Sequence, residues 1–273
     1  MLWMSRYRFL TRPGWIVFHV VVVLLVILMV NLSFWQLRRL HERRSFNSEV
    51  RARTAAAAQP FDTVVPPGTT IDAARKDEWT TVTLSGTFDP AAQILIRNRT
   101  LDGAPGFHIL TPLRRPDGTA VLVVRGWIPL TSANSSAPDV PPPVAGTVTI
   151  DGRVRPTQNP GALAARDPAA GILTTMARVD IPRVQQQTSY PLAPVYVEMS
   201  ASTPAPSGGL PVLVPLPELD DGPHLGYAVQ WIIFSICAIV GWFVLVRKSA
   251  RAREQKAAAA AAEAAEATDT VPV

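Results

Sequence analysis

The stretch WIVFHVVVVLLVILMVNLSF, residues 15–34, decides the architecture of this chain, and YAVQWIIFSICAIVGWFVLV, residues 227–246, repeats its character near the other end. Each run has about 20 residues without a charged side chain, which as an α-helix spans the roughly 30 Å hydrocarbon core of a bilayer. No other run in the 273-residue chain approaches this length. The sequence therefore predicts two membrane-spanning helices that enclose a separate domain.

A cleaved secretory signal is the alternative interpretation of the first run, because that run lies near the N-terminus. Its apolar region is longer than the core of most signal peptides. WQLRR follows it, where a signal peptide has a small-x-small cleavage site. These two features favour an uncleaved anchor.

Basic residues that flank the spans predict the orientation of the protein. RKSARAREQK follows the second span, whereas residues 184–246 contain neither lysine nor arginine. The first span gives no clear signal because arginines flank it on both sides: Arg6, Arg8 and Arg12 before it, and Arg38, Arg39, Arg43 and Arg44 after it. The second span therefore predicts cytoplasmic termini, an exocytoplasmic middle domain and a location in the plasma (inner) membrane.

Turn residues and alternating β-branched runs predict the structure of the middle domain. The expected strands are residues 79–88, 93–101, 107–115, 120–130, 146–154 and 192–200, with a hairpin turn at the PDG of residues 116–118. A short helix within 176–188, a helical extension of the first span over 45–58 and a proline-rich surface loop at 132–143 complete the pattern. The fold class is a two-span α-helical membrane anchor enclosing an exocytoplasmic, mainly-β domain, an antiparallel sheet or barrel with one or two short helices.

Five segments follow from these patterns. They are a cytoplasmic N-terminus (1–14), a first transmembrane helix (15–37), the exocytoplasmic β-rich domain (38–223), a second transmembrane helix (224–246) and a cytoplasmic low-complexity tail (247–273).

Composition and motifs argue against several classes of protein. The formal charge of +5 comes from arginines beside the spans, so it does not indicate a nucleic-acid-binding protein. The single cysteine, Cys237, lies in the second span, which excludes disulfides and cysteine metal sites in the domain. HExxH, GxSxG and phosphate-binding glycine loops are missing from the sequence. We therefore expect a non-enzymatic protein with no catalytic residues.

Polar and aromatic residues cluster at the outer ends of both spans. At helical spacing, His224, Tyr227 and Trp231 form one stripe with Gln230 beside it, and the first span ends on Trp35, Gln36 and Arg39. The two spans run in opposite directions, so both groups lie at one depth. A histidine there can ligate haem iron and an arginine can pair with a haem propionate. An ordinary aromatic belt at the membrane surface is the alternative.

His19 lies in the cytoplasmic half of the first span, where an ionisable residue is a functional candidate by default. The alternative is a neutral histidine that bonds to its own helix, and this alternative is favoured.

Four motifs in this order resemble the Surfeit-locus-one family of cytochrome oxidase assembly proteins. They are FWQLRR at 34–39, GFHILTPL at 106–113, LVVRGWIP at 122–129 and HLGYAVQW at 224–231. The resemblance, including the two-span architecture, covers nearly the whole chain.

The resemblance implies an assembly factor for aa3-type cytochrome c oxidase that assists haem A delivery to, or insertion into, the catalytic subunit. By position, His224 is the axial ligand candidate for the haem iron, and the residues already named around it form the cofactor-binding set. Expected partners are the catalytic subunit, haem A synthase or a respiratory supercomplex, and the lipid bilayer. The strand-pair signature is interpreted as fold-defining: Gly106, Pro112, Arg125, Gly126, Trp127 and Pro129.

Two other functions remain open on the sequence. The first is a stable accessory subunit or tether of a respiratory complex that binds no cofactor. The second is a sensor whose helices relay an outer signal, and it ranks last because the cytoplasmic tail is short and has no signalling module.

Overall fold

The computed structural model describes residues 7–130, 139–161 and 165–269, with side chains up to residue 263. The chain divides into two compact units: Met1–Asn47 with Leu219–Val273, and Ser48–Glu218. Four α-helices occur in the described part: α1 (Pro13–Ala55), α2 (Phe61–Val64), α3 (Ile181–Gln185) and α4 (His224–Asp269). We call the first unit the helical unit and the second the β unit.

Helices α1 and α4 are long and apolar enough to cross a membrane. Their most apolar 18-residue windows have mean hydropathies of 2.8 and 2.3, and only 11% of either window is buried inside the protein. Aliphatic side chains exposed over such lengths are at home in lipid and indicate a membrane anchor. The predicted pair of helices is confirmed, and α1 includes most of the helical extension predicted at 45–58.

Small and polar side chains join the two long helices. The Ser33 hydroxyl donates to the Ala228 carbonyl at 3.0 Å, and both residues are buried. Nearer the other end, the Trp242 indole N–H donates to Nδ1 of His19 at 2.9 Å. Such interhelical hydrogen bonds and small contact residues are typical of helix packing in membranes.

Two of the arginines after the first span hold the segment that precedes α4. Arg43 lies 3.3 Å from an Asp220 carboxylate oxygen, and Arg44 lies 2.9 Å from one of Asp221. Asn47, only 1% exposed, donates to the Asp220 carbonyl at 2.7 Å. Exposed ion pairs contribute at most about 1 kcal/mol each, but the buried amide fixes the register of this contact. We call these five residues the arginine clasp.

The β unit contains eight strands within the described residues. They are β1 (Gln59–Pro60), β2 (Thr81–Phe88), β3 (Ile94–Leu101), β4 (Ala104–Arg114), β5 (Ala120–Pro129), β6 (Thr147–Pro156), β7 (Thr175–Met176) and β8 (Leu192–Thr203). The sheet order is β1-β2-β6-β8-β5-β4-β3-β7, and β2 also pairs with β4. This extra pairing closes β2, β6, β8, β5 and β4 into a five-stranded barrel with the connectivity of an OB-fold.

The mainly-β domain predicted from the sequence is confirmed, including all six expected strands and a short helix, α3, within 176–188. Three parallel pairings, β1–β2, β3–β7 and β5–β8, were not expected. The predicted loop at 132–143 falls mainly outside the described residues, and 139–145 has no regular structure.

Alternating apolar residues on the barrel strands form its core. Val82, Val123, Ile150 and Val197 are completely buried, and they come from four of the five barrel strands. Strand β5 is buried at nearly every position because both of its faces are covered: Val121 and Val123 belong to the barrel core, and Leu122 and Val124 belong to a second apolar cluster. This explains its continuous apolar sequence, which differs from the alternation expected of a strand with one solvated face.

Two tight turns set the register of the strands around β4. In the predicted PDG turn, Asp117 accepts from the Thr119 backbone N–H at 2.9 Å and Gly118 has φ +84°. A second hairpin turn, at Asp102 and Gly103, joins β3 to β4 with φ values of +49° and +79°. Positive φ at both central residues is the type I′ geometry that Asp-Gly favours. The Asp-Gly pair at 102–103 is the sequence signal for this turn, which is not among the elements predicted above.

Glycines of the strand-pair signature allow backbones to approach closely. A Cβ atom at Gly106 would lie 2.2 Å from the Ile128 carbonyl oxygen and 2.5 Å from the Trp127 ring. At Gly126, whose φ is +151°, a Cβ would lie 2.6 Å from the Val212 carbonyl oxygen. Only glycine fits at these two positions without displacement of a neighbouring chain.

Arg125 is a buried cation that braces a loop. Its guanidinium donates to the Thr111 hydroxyl at 3.0 Å, to the Gln93 side-chain oxygen at 2.7 Å and to the Pro141 carbonyl at 2.9 Å. Burial lowers the pKa of Arg125 to about 10, so it stays charged at neutral pH. These contacts fix the end of the proline-rich segment against the barrel.

Candidate functional site

Among the predicted site residues, the structure brings Gln36 and His224 into direct contact. Oε1 of Gln36 lies 2.9 Å from Nδ1 of His224. Gln36 is buried and His224, the first residue of α4, is half-buried. The sequence predicts both residues at one depth, and the observed contact joins them across 188 residues of chain.

The remaining predicted residues lie on the same two helices and form no hydrogen bond with this pair. Trp231 is half-buried, whereas Tyr227 and Trp35 are 48% and 50% exposed. Gln230 is exposed, and Arg39 forms an exposed ion pair with Glu42 at 3.0 Å. With 100° per residue, the face of α4 that contacts α1 contains Ala228 and Ser235, so Gln230 points away from it and Tyr227 lies to one side, about 90° around the helix.

The Gln36 contact selects one tautomer of His224. A side-chain carbonyl oxygen only accepts hydrogen bonds, so Nδ1 of His224 donates to it and, in the neutral ring, Nε2 keeps its lone pair. A Cβ atom at Gly222 would lie 3.4 Å from Nε2, so this nitrogen faces a glycine that has no side chain to cover it. In the neutral ring the Gln36 contact therefore orients the imidazole and leaves Nε2 as the nitrogen able to ligate a metal.

His19 has the opposite tautomer. The Trp242 indole N–H is only a donor, so Nδ1 of His19 accepts and the neutral ring carries its proton on Nε2. The partner is a tryptophan on the other long helix, whereas the sequence favoured a bond within its own helix. The sequence could not identify this partner, because 223 residues separate the two side chains.

We expect ¹⁵N-histidine NMR of the protein in nanodiscs to show the two tautomers. His224 should have a protonated Nδ1 and an unprotonated Nε2, and His19 the reverse. Gln36→Leu should remove the tautomer preference of His224 and leave the His19 signals unchanged. Trp242→Phe should remove the tautomer preference of His19 and leave the His224 signals unchanged. The same tautomer at both histidines would contradict the assignment.

A buried charge network lies inside the β unit. Glu198 is 3.5 Å from Arg155 and 3.8 Å from Arg153, and Arg155 stacks 3.7 Å from the centroid of the Trp79 ring. Burial raises the pKa of Glu198, and the two arginines oppose that rise. Arg153 also donates to the Val214 carbonyl at 2.6 Å. The network thus ties β6 and β8 to the chain that follows β8, a structural role.

His108 on β4 makes the stability of the β unit depend on pH. Burial, and less strongly the charge of Arg99, lowers the pKa of His108 from 6.5 to about 4. The unfolded chain therefore binds a proton at this side chain below pH 6.5, whereas the folded chain does so only near pH 4. We expect acidification from pH 7 to pH 5 to remove about 2 kcal/mol of unfolding free energy through this group.

Urea unfolding of wild type and His108→Gln at pH 7 and pH 5 measures this effect. The difference between the two pH values should be smaller by about 2 kcal/mol in the variant. The exposed His41 offers a matched control, since His41→Gln should leave the pH dependence unchanged. Equal pH dependence in wild type and His108→Gln would refute a buried neutral His108.

The described residues contain no group of three or more histidine, cysteine, aspartate or glutamate side chains able to hold a metal ion. His224 alone can supply one axial bond to a metal that is already held by another ligand, such as a porphyrin.

Fold and site together define a class: a two-helix membrane protein with a Greek-key β unit and, at the start of its second long helix, a histidine that is hydrogen-bonded to a glutamine of the first. The model of the SURF1 family matches residues 23–236, and the chain belongs to this family. Uncharacterized SURF1-like proteins of Mycobacterium bovis and Mycobacterium tuberculosis are each 33% identical over 257 residues, 92% of this chain and 91% of the relative. A SURF1-like protein of Rickettsia felis is 26% identical over 114 residues, 40% of this chain and 45% of the relative.

The family assignment confirms the resemblance noted in the sequence. Members of the SURF1 family generally serve in cytochrome c oxidase assembly. The matched region includes Gln36 and His224 and ends within α4.

Proposed function

We propose that this protein assists assembly of aa3-type cytochrome c oxidase by binding haem A transiently and passing it to the catalytic subunit. The observation that carries the proposal is the Gln36–His224 pair, which orients the imidazole ring and, in its neutral form, leaves Nε2 of His224 as the unprotonated nitrogen. Haem A is cargo in this proposal. The protein itself catalyses no reaction on it.

The residues around His224 have the chemistry to hold such a cargo. His224 would bind the iron through Nε2 and Gln36 would fix the imidazole ring. Trp35, Tyr227 and Trp231 offer flat apolar surfaces to the macrocycle, with Gln230 nearby on α4. Both side chains of the Arg39–Glu42 ion pair are exposed, so breaking the pair costs little free energy and Arg39 can bind a haem propionate instead.

A single axial histidine also suits release. One protein ligand leaves the other axial position of the iron open, so an acceptor ligand can bind before the carrier dissociates. Trp35 and Tyr227 are 50% and 48% exposed, which supports a cargo bound where a membrane-embedded partner could reach it.

The proposal includes an orientation and partners. Both termini are cytoplasmic, the β-rich domain of residues 38–223 is exocytoplasmic, and the spans at 15–37 and 224–246 cross the plasma membrane. The acceptor is the catalytic subunit, and the donor is haem A synthase or a supercomplex that contains it. The basic residues after α4's apolar run support this orientation: Arg247, Lys248, Arg251 and Arg253.

The visible spectrum of the membranes tests the proposal. A deletion strain should lose most of its aa3 absorbance while its b- and c-type cytochromes remain, and the wild-type gene should restore it. A deletion strain with normal aa3 oxidase would refute the assembly role.

A second measurement distinguishes a transient haem A carrier from a stable accessory subunit that tethers the complex. The protein purified from cells that make haem A should carry haem A in substoichiometric amounts. Stoichiometric co-purification with the oxidase in a haem-free state would favour a stable accessory subunit.

A further inference from the structure

Side chains on one face of α1 hold residues 220–228 through a series of hydrogen bonds. Along α1 the series is Ser33 with the Ala228 carbonyl (3.0 Å), Gln36 with His224 (2.9 Å), and Arg43 (3.2 Å) and Asn47 (2.7 Å) with the Asp220 carbonyl. The partners follow in reverse order along the chain, as two antiparallel segments require. The Gln36–His224 contact therefore has an interhelical bond on one side and an anchored backbone carbonyl on the other.

The α1 residues of this series share a face because of their spacing. Gln36, Arg43 and Asn47 are separated by seven and then four positions, which is the spacing of one helical stripe. The helix is continuous from Pro13 to Ala55, so Asn47 lies about 16 Å from Gln36 along a single rigid element. The same helix thus orients His224 and holds the chain that leads to it.

A short segment joins the anchored carbonyl to His224. Three residues lie between Asp220 and His224, and the last two of them are Gly222, with φ +65°, and Pro223, whose ring fixes its own φ. The Pro223 carbonyl already accepts the helical bond from the Tyr227 N–H at 3.1 Å. The position of the Asp220 carbonyl on α1 is therefore transmitted to the first turn of α4.

Asn47 is an amide at a position that suits an apolar side chain. It is 1% exposed, its Nδ2 donates to the Asp220 carbonyl, and its Oδ1 is buried without a hydrogen-bond partner among the described residues. A buried polar atom without a partner destabilises a folded protein. An asparagine in the seam between helices is nevertheless used to fix their register. These properties indicate a residue that specifies position more than it adds stability.

We propose that Asn47 is a positioning residue of the haem site: by anchoring the Asp220 carbonyl to α1, it holds His224 against Gln36. The inference rests on the proposed function for its haem step. Asn47 acts through residues 220–223 and not on the iron itself. Arg43 and Arg44 support the same anchor, but their ion pairs are exposed and therefore weaker.

Asn47→Leu in the full-length protein in nanodiscs tests the proposal. Leucine is branched at the same atom and leaves no amide oxygen unsatisfied, and Arg43 still donates to the Asp220 carbonyl. Thermal unfolding should therefore stay close to that of wild type. In ¹⁵N-histidine spectra without haem, His224 should lose its tautomer preference while the His19 signals stay unchanged. The dissociation constant for haem A should rise about tenfold, the usual effect of disturbing a ligand histidine's partner.

Two further variants complete the experiment. Asn47→Ala removes the amide without adding volume, so it guards against overpacking by leucine and should cause the same spectral change and loss of affinity. Asn31→Leu is the matched control, because Asn31 is exposed on the same helix and donates to the Ile27 carbonyl of that helix at 2.8 Å. It should behave as wild type in all three measurements.

A double variant identifies the route of the effect. If Asn47 acts by holding His224 against Gln36, then Asn47→Leu should add less than about twofold to the loss of haem affinity in Gln36→Leu, since both changes remove the same contact. Fully additive losses would show that Asn47 acts independently of this contact, and would overturn the proposal.

Other results would also overturn it. They are a His224 spectrum that is unchanged in Asn47→Leu and Asn47→Ala, unaltered haem A affinity in both, and general unfolding of both variants, which would show a purely structural role. If wild type binds no haem A, the proposed function fails, and the His224 spectra of the variants still decide whether Asn47 positions this side chain.

Discussion

His224→Ala is expected to lower the affinity of the purified protein for haem A by more than about 100-fold, because it removes the one axial ligand that the site supplies. Titration of haem A into the protein in nanodiscs, followed by its visible spectrum, measures the loss. In cells, the variant should reproduce the aa3 deficiency of the deletion strain at normal protein level. The exposed His41→Ala is the control and should retain haem A and oxidase.

Gln36 allows a finer test of the same site. Gln36→Leu removes the acceptor at Nδ1 and should weaken haem binding about 10- to 100-fold, the usual effect of losing a partner that orients a ligand histidine. Gln36→Glu keeps an acceptor oxygen and should stay within a few-fold of wild type. Haem binding that survives His224→Ala, or that is insensitive to Gln36→Leu, would place the ligand elsewhere.

Gly106→Ala should cause the largest loss of stability in the β unit. The added Cβ would overlap the Ile128 carbonyl and the Trp127 ring, and both are fixed by the β4–β5 pairing. Relief of this clash requires separation of two central strands, so we expect a loss of more than about 4 kcal/mol. Such a loss is comparable to the whole stability of many domains.

Protein level in membranes and urea unfolding of the purified variant measure the effect. Gly161→Ala is the matched control, because a Cβ atom there would have no neighbour within 4 Å. A Gly106→Ala protein that accumulates and unfolds as wild type does would show that β4 and β5 can separate without cost.

The sequence predicted the elements well because each depends on local signals. The two apolar runs, the alternating strands and the PDG turn are all readable from neighbouring residues, and all are present. The sequence did not predict which strands close the barrel. Closure depends on just two residue pairs between β2 and β4, Thr87 with Arg114 and Phe88 with Leu113. No local pattern marks such a pairing.

The sequence identified residues of the candidate site, but it did not predict how they contact one another. Helical periodicity grouped His224 with Tyr227, yet the packed face of α4 follows Ala228 and Ser235, and Tyr227 lies outside it. The tautomers of His19 and His224 depend on single partners about 200 residues away, which periodicity cannot identify. In the predicted orientation, Arg43 and Arg44 break the usual bias of basic residues toward the cytoplasmic side. The sequence did not indicate that each of them pairs with an aspartate just before α4.

The arginine clasp has a consequence for biosynthesis. Asp220 and Asp221 are translated some 175 residues after Arg43 and Arg44, so the nascent first helix meets the insertion machinery before these two aspartates exist. In the proposed orientation, α1 then carries opposing topogenic charges until α4 emerges. A reporter fused after residue 210 should therefore show mixed topology, whereas the same reporter inserted at that point of the full chain should show one. In the proposed orientation, the direction of the first helix is therefore fixed only after the residues around α4 have been translated.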